Sequence, residues 1–347
     1  MRNGIALFGI SRPGQLRRGL DHDDRASSRV NRVLVRTPQL VRSRQLVCAV
    51  GLLLCALGAE PLKAQQPRLS VSPAEVAPGA IVRLTLAAPA TTADSIVSIR
   101  GEMAGEQLHF LTRDAALWRA IAGIPVDAND SVSARVLIQR SSGAIDTSVV
   151  WAKLPRPRVR PGARRGRPRR LSVDSRFTRP LDRATQERID RENARAREVG
   201  RQSHSTPPQW TTSFLRPRSS AVTSRFGSGR SFNGVMTSRH LGVDFRGGVG
   251  APVRAANRGV VALVDKFFLA GNVVYIDHGG GVVTGYFHLS KTLVSEGETV
   301  ERGQEIGLVG ATGRVTGPHL HWSARYGGLT VNPLDLVAIQ SGWYGGR

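Results

Sequence analysis

Five of the chain's eight histidines fall between residues 240 and 321: His240, His278, His288, His319 and His321. Histidine gathered in a stretch without cysteine is a hint of a metal centre built from imidazole and carboxylate. His319-Leu320-His321 sets two imidazoles on one face of a strand, about 6.5–7 Å apart at Cα, with Leu320 turned into a core. The preceding Gly313-Arg314-Val315-Thr316-Gly317-Pro318 is a glycine-bounded approach that fixes where this strand begins. His240-Leu241-Gly242-Val243-Asp244 offers an imidazole and a carboxylate four residues apart. Gly242, β-branched Val243 and the following Arg246-Gly247-Gly248 argue against a helix. The segment predicts a bent loop-to-strand turn with Gly242 as its conformationally permissive residue.

A catalytic zinc site needs three protein ligands and one position open to water. His240, Asp244 and one of the His319/His321 pair supply the three. A water bound there loses a proton near neutral pH and becomes a nucleophile. Spare histidines can serve as general base and can stabilise or protonate the tetrahedral intermediate. His319 and His288 are left for those tasks, while His278, at a strand end, reads as structural. Each element is common by itself; their combination, in this order and among these glycines, carries the weight.

These side chains need a rigid scaffold. From about Phe214 to Val337 glycine is dense and short strands follow one another: Gly259–Val264, Val273–Asp277, Val282–His288, Glu305–Val309 and Leu320–Ala324. This predicts an all-β domain of about 120 residues without a dependable helical period. Residues 68–152 read as a second, smaller β domain. Ile81–Ala87, Ser95–Ile99 and Val132–Gln139 show alternation or β-branched runs, as in an immunoglobulin-like sandwich lacking the Cys–Trp–Cys signature. Nothing catalytic is visible there; the stretch reads as a spacer, an inhibitory cover or a wall-binding module.

Between the two lie a linker and a helix. Residues 153–170 hold nine basic residues, no acidic one and repeated proline, which keeps a chain extended. The linker is taken to reach residue 172. No aromatic interleaves its charges, so nucleic acid is not expected as its partner, whereas anionic wall polymers are. Residues 181–199, within a connecting segment 173–213, predict a solvated helix laced with charges at i, i+3 and i+4.

The formal net charge is +23, of which residues 1–64 supply +7 (11 Lys/Arg against 4 Asp/Glu) and the remainder +16 (38 against 22). That balance favours polyanions without choosing among them. Both cysteines, Cys48 and Cys55, lie in the apolar run Leu46–Ala59, after Arg42 and Arg44 and before Leu62-Lys63-Ala64. A basic flank, a short apolar core and a small closing residue read as a secretory signal. Left uncleaved, the run would be an anchor and the membrane a partner; cleavage after Ala64 would leave a chain free of cysteine. Leu54 before Cys55 argues against a lipoprotein. Residues 1–43 form an Arg-rich extension to which no function is attached.

Residues 214–337 resemble the lysostaphin-type (LytM-like) zinc metallopeptidases, which are peptidoglycan endopeptidases. The resemblance rests on Ser224-Arg225-Phe226-Gly227, His240 to Asp244, Gly271 to Gly279, Tyr286-Phe287-His288-Leu289, Val300 to Gly307 and Gly310 to His321. It implies one Zn2+ per chain held by His240, Asp244 and His321, with His319 as general base. His288 beside it would position water and steady the oxyanion. It further implies hydrolysis of an amide in wall peptides, by a protein exported across the inner membrane to the periplasm or cell envelope. Some members carry a tyrosine before the first histidine; Phe232-Asn233-Gly234 has none here, which leaves oxyanion support to His288. The fold class implied is mainly β: a compact antiparallel metallopeptidase domain over 214–340, preceded by the Ig-like sandwich and the connecting helix. The alternative is a non-catalytic wall-binding module that activates a peptidoglycan amidase. Relatives of that kind usually lose ligands, and none is lost here.

Overall fold

A computed structural model describes residues 66–340 apart from 92–93, 115, 156–168 and 235. The apolar run 46–59, the extension 1–43 and most of the basic segment 153–170 lie outside the described residues.

The upstream region is built from β1 (Arg68–Ser72), β2 (Ile81–Ala87), β3 (Ile96–Met103), β4 (Glu106–Gln107), β5 (Leu111–Asp114), β6 (Leu117–Gly123), β7 (Ser131–Arg140) and β8 (Ile145–Lys153). They form two antiparallel four-stranded sheets, ordered β1-β2-β6-β5 and β4-β3-β7-β8. Alternation in β2 and β7 sends Leu84, Leu86, Val136 and Ile138 into one core shared by both sheets.

Three short strands come next in space. β9 (Arg169–Leu171) lies within the stretch read as linker, and it pairs in parallel with β11 (Gly229–Phe232), which pairs antiparallel with β12 (Met236–Arg239). Between β9 and β11 in sequence run α1 (Arg183–Gln202) and β10 (Val222–Ser224). Asp182 caps α1, its carboxylate accepting from Thr185 N–H at 2.7 Å. The helix expected over 181–199 is present, but it is docked and not merely solvated. Ile189, Ala196 and Gly200, seven and then four residues apart, make a narrow buried stripe. Ala196 packs against Leu263, Phe267 and Tyr275, and an added Cβ at Gly200 would stand 2.0 Å from the Gly327 carbonyl. The stripe is so slim, and its residues so small, that the charged surround hides it in the sequence.

The remaining strands are β13 (Val243–Arg246), β14 (Pro252–Arg254), β15 (Gly259–Phe267), β16 (Gly271–Asp277), β17 (Val282–Thr292), β18 (Thr299–Val300), β19 (Glu305–Val309), β20 (His319–Tyr326) and β21 (Leu329–Val331). With β10 they form a ten-stranded sheet whose main path is β10-β13-β20-β17-β16-β15-β18; β14 and β21 attach through β19 and β20. Among the described residues its strand pairings are antiparallel, so the chain is mainly β as anticipated. Trp322, Tyr286, Phe245 and Tyr326 fill the core beneath it. A six-residue helix, α2 (Pro333–Ala338), closes the region, with Asn332 as its cap and Pro333 in its first turn. It is too short to leave a periodicity.

The two regions belong to one compact unit. Ile81 and Ile121 of the upstream strands enter the same apolar cluster as Phe245 and Trp322. Asp335 accepts from Ile81 N–H at 2.9 Å, and the Tyr326 hydroxyl donates to the Gln107 carbonyl at 2.7 Å. Among the described residues no helix is long and apolar enough to cross a membrane.

Candidate metal centre

β13 and β20 lie side by side, with Asp244 opposite His321 and Arg246 opposite His319. Cross-strand partners share a face, and so do residues two apart on one strand. The four side chains therefore occupy one face, and Leu320, fully buried, occupies the other. His240 enters from the bend that follows β12. Gly242 in this bend has no positive φ, contrary to the role expected of it. It is needed for space: an added Cβ would lie 2.4 Å from His321 Nε2 and 2.7 Å from the Trp322 carbonyl.

Three donor atoms converge. His240 Nε2 is 3.0 Å from His321 Nδ1 and 3.0 Å from Asp244 Oδ1, and His321 Nδ1 is 2.9 Å from the same oxygen. Lone pairs directed at one point repel unless a cation or a shared proton lies among them. Tetrahedral bonds of about 2.0–2.1 Å place ligand atoms roughly 3.3 Å apart, so a triangle of this size closes on a metal with small adjustments. His240, Asp244 and His321 are the one group of this kind among the described residues.

The remaining hydrogen bonds fix which nitrogen faces inward. His240 Nδ1 lies 3.0 Å from the Arg225 carbonyl and 3.0 Å from Ser224 Oγ. Donation to the carbonyl leaves Nε2 as a lone pair aimed at the centre. His319 repeats the device, Nδ1 donating to the Gly317 carbonyl at 2.8 Å, with Nε2 3.7 Å from Asp244 Oδ1. His288 repeats it again, Nδ1 donating to the Thr312 carbonyl at 2.8 Å. Its ring lies 4.9 Å from that of His319 and 5.9 Å from that of His321. His288 holds φ at +63°, a left-handed conformation inside β17 that costs an L-residue about 1 kcal/mol or more. Phe287 stacks on His321 at 5.2 Å and 14°.

Burial alone would raise the Asp244 pKa, but hydrogen bonds to His240 and His321, then their charge, hold it well below the usual carboxylate range. Burial pushes His321 down to about 4 despite the pull of Asp244. Burial, then repulsion by His319 and His321, holds His288 well below its ordinary value. A carboxylate with neutral imidazoles is the protonation state a metal requires.

Sequence reasoning overlooked Arg230. Its Nη2 donates to Asp244 Oδ2, the oxygen facing away from the histidines, and to Ser224 Oγ at 3.2 Å. Among 49 basic residues nothing in a single sequence singles it out. His278 sits apart, as anticipated: Nδ1 donates to the Arg258 carbonyl at 2.7 Å and Nε2 meets Thr284 Oγ1 at 2.8 Å.

Two clefts flank the centre. One of about 220 Å³ runs past Asp244 and His319 and is lined by Leu171, Val173, Phe232, Arg314 and Pro318. The other, about 500 Å³, reaches His321 and Phe287 and is walled by Ala196 of α1 and Val126 upstream.

With the β-sheet groove and its His–Asp–His cluster described, the comparisons agree in kind: residues 238–333, under a third of the chain, match Peptidase family M23. Its relatives are equally plain. The chain is 50% identical over 95 residues to Peptidoglycan DD-endopeptidase ShyA of Vibrio cholerae serotype O1, covering 27% of this chain and 22% of that protein. It is 46% identical over 98 residues to DD-carboxypeptidase/endopeptidase Mpg of Neisseria meningitidis serogroup B, covering 28% and 23%. The chain thus spans under a quarter of the length of these curated relatives. A crystal structure from Pseudomonas aeruginosa assigned to peptidase M23 superposes with TM-score 0.54 at 24% identity, covering 77% of this chain and 96% of that one. That likeness concerns the fold, and it extends beyond the residues of the family match.

Proposed function

We propose that residues 214–340 form a zinc-dependent endopeptidase that hydrolyses peptide cross-links of bacterial peptidoglycan. The observation that carries this is the 2.9–3.0 Å triangle of His240 Nε2, Asp244 Oδ1 and His321 Nδ1, with His319 Nε2 close by at 3.7 Å from the carboxylate. In this reading those three residues hold one zinc ion per chain. A zinc ion bound there supplies Lewis-acid polarisation of the scissile carbonyl and lowers the pKa of a water to about 7.

His319, its Nδ1 committed to Gly317, has Nε2 ready to take the proton from the attacking water. The same nitrogen then delivers that proton to the leaving amine. His288, its Nδ1 committed to Thr312, also presents an acceptor, so in its neutral form it orients water and cannot donate to an oxyanion. It gains a donor there only on protonation, which its burial resists. The cationic Arg230, donating to Asp244 Oδ2, places a fixed positive charge against the outer oxygen of that carboxylate. The device expected of a tyrosine is thus not replaced by His288 alone. Asn233, in the stretch where that tyrosine would fall, is a scaffold residue: its side chain accepts from Val173 N–H and donates to the Val173 carbonyl, both at 2.9 Å.

The name of ShyA, a peptidoglycan DD-endopeptidase, supports peptidoglycan as the substrate class, and hence a place in the cell envelope. Export by the apolar run 46–59 and attraction of the basic segment 153–170 to anionic wall polymers complete the proposal. The purified chain, incubated with isolated peptidoglycan, should release peptides identifiable by mass, and chelation should stop it. Release that survives chelation, or survives in His321→Ala, contradicts the assignment. A non-catalytic amidase activator would instead contain no near-stoichiometric zinc; the filled and converging ligand set favours the enzyme.

A further inference from the structure

The floor of the larger cleft includes the face of β20 that carries His321. Alternate residues share a face, so Ser323 follows His321 along it at about 6.5–7 Å. Across the sheet Ser323 pairs with Gly285 of β17, and Gly285 with Tyr275 of β16. These three form one row, next to the row of His321 and Phe287. Gly285 lets the row close. A Cβ there would stand 2.6 Å from Ser323 Oγ, 2.7 Å from Phe287 Cε1 and 2.9 Å from Tyr275 Cε1. With only hydrogen in that place, the serine hydroxyl and the tyrosine ring meet above the glycine, beside the phenylalanine that stacks on His321.

Tyr275 and Ser323 are only 5% and 6% exposed, and both line the cleft. Neither hydroxyl has a hydrogen-bond partner among the described residues. Tyr286 and Tyr326, the other buried tyrosines described, are satisfied: the Tyr286 hydroxyl accepts from Ala256 N–H at 2.8 Å, and that of Tyr326 donates to the Gln107 carbonyl at 2.7 Å. A buried hydroxyl left unpaired is costly, and one that faces a cleft is paired by what enters it. Burial holds the Tyr275 pKa above its ordinary value, so this hydroxyl keeps the proton it would donate. We propose that Tyr275 and Ser323 form a subsite for the peptide substrate, donating to one of its oxygens. The span from His321 to Ser323 is that of two residues of an extended peptide, so the oxygen belongs to a residue about two positions from the bond that is cut. A main-chain carbonyl and a chain-terminal carboxylate present the same acceptor. Phe287, Leu241 and Val126, apolar residues of the same cleft, suit a small aliphatic side chain.

This rests on the endopeptidase reading, and the test separates the two. The zinc-loaded full chain is assayed as wild type, Tyr275→Phe, Ser323→Ala and the double variant. The substrates are a soluble cross-linked wall peptide and forms of it shortened residue by residue from either end. On the whole substrate each single variant should lose on the order of 10-fold in kcat/KM, about one hydrogen bond, chiefly through KM, and the double variant more. Zinc content and thermal unfolding should stay as in the wild type, since Tyr275→Phe keeps the ring against Phe267 and Phe287. Removing the substrate residue that supplies the oxygen should cost the wild type a similar factor and the double variant nothing, so that the two converge on that shortened form. Amidating the free termini tells the two sources of the oxygen apart: kcat/KM falls if a carboxylate is read and holds if a main-chain carbonyl is. Equal kcat/KM for wild type and double variant on the whole substrate overturns the subsite and leaves the enzyme standing, and so does a deficit of the same size on every shortened form. A folded, zinc-loaded wild type that cuts none of the substrates overturns the enzyme and the subsite together.

Discussion

Beside the first half of β17, His278 is fully buried with both ring nitrogens occupied, one by the Arg258 carbonyl and one by Thr284 Oγ1, which also meets the Tyr286 hydroxyl at 2.9 Å. Toward the other end of the strand, His288 and its neighbours His240 and His319 each spend Nδ1 on a backbone carbonyl and keep Nε2 for a common space. His321 turns Nδ1 into it. Both groups are buried or half-buried imidazoles, and all but His321 are tied to a backbone oxygen. What separates structure from chemistry is the destination of the second nitrogen. Satisfied, it locks a core; left as a lone pair beside others, it makes a site that calls for a cation.

Substitutions at the two ends should separate accordingly. The largest effect is expected from His321→Ala, which removes one corner of the triangle: zinc content by atomic absorption and peptide release should both be lost, whereas His278→Gln should retain both. Next, His319→Ala should keep its zinc while kcat falls about 10²- to 10⁴-fold, the usual worth of a general base; a matching loss of zinc would make His319 a ligand instead. Arg230→Met should weaken zinc binding on the order of 10- to 100-fold by freeing the outer oxygen of Asp244, as loss of an outer-shell partner does. A competition titration with a coloured chelator would show it. The smallest effect on activity, but a clear one on stability, concerns His278. Burial depresses its pKa from 6.5 to about 4 in the folded chain. Between those values the unfolded chain binds more protons, so stability rises with pH and is lost as pH falls from about 6.5 to about 4. For this one group the loss is on the order of 3 kcal/mol. Denaturant titration of metal-free protein across that range should show a slope to which His321 and His288, also depressed by burial, add with the same sign; His278→Gln should make it shallower by the share of this one group.

Much of the site was legible because its spacing is local. The His319–Leu320–His321 alternation needs only a strand, and β20 supplies it. Strands such as Ile81–Ala87 and Glu305–Val309 were read to the residue, since period-2 burial writes itself into the side chains. What escaped depends on partners distant in sequence. Arg230 matters through Asp244, Gly242 through the ring of His321, and α1 through a stripe of three small or apolar residues that meet the sheet. Likewise β9 forms only because β11 offers an edge, in a stretch whose own composition favours extension without a partner. The left-handed backbone of His288 has no sequence mark either, because glycine is what such a φ predicts.

The most direct test is the position of the metal itself. Crystals of the zinc-loaded chain, with anomalous scattering recorded across the zinc edge, should show one peak about 2.0–2.2 Å from His240 Nε2, Asp244 Oδ1 and His321 Nδ1, with His319 Nε2 near it but not bonded. A peak elsewhere in the chain, or one that leaves Asp244 paired with Arg230 and uncoordinated, would contradict the account.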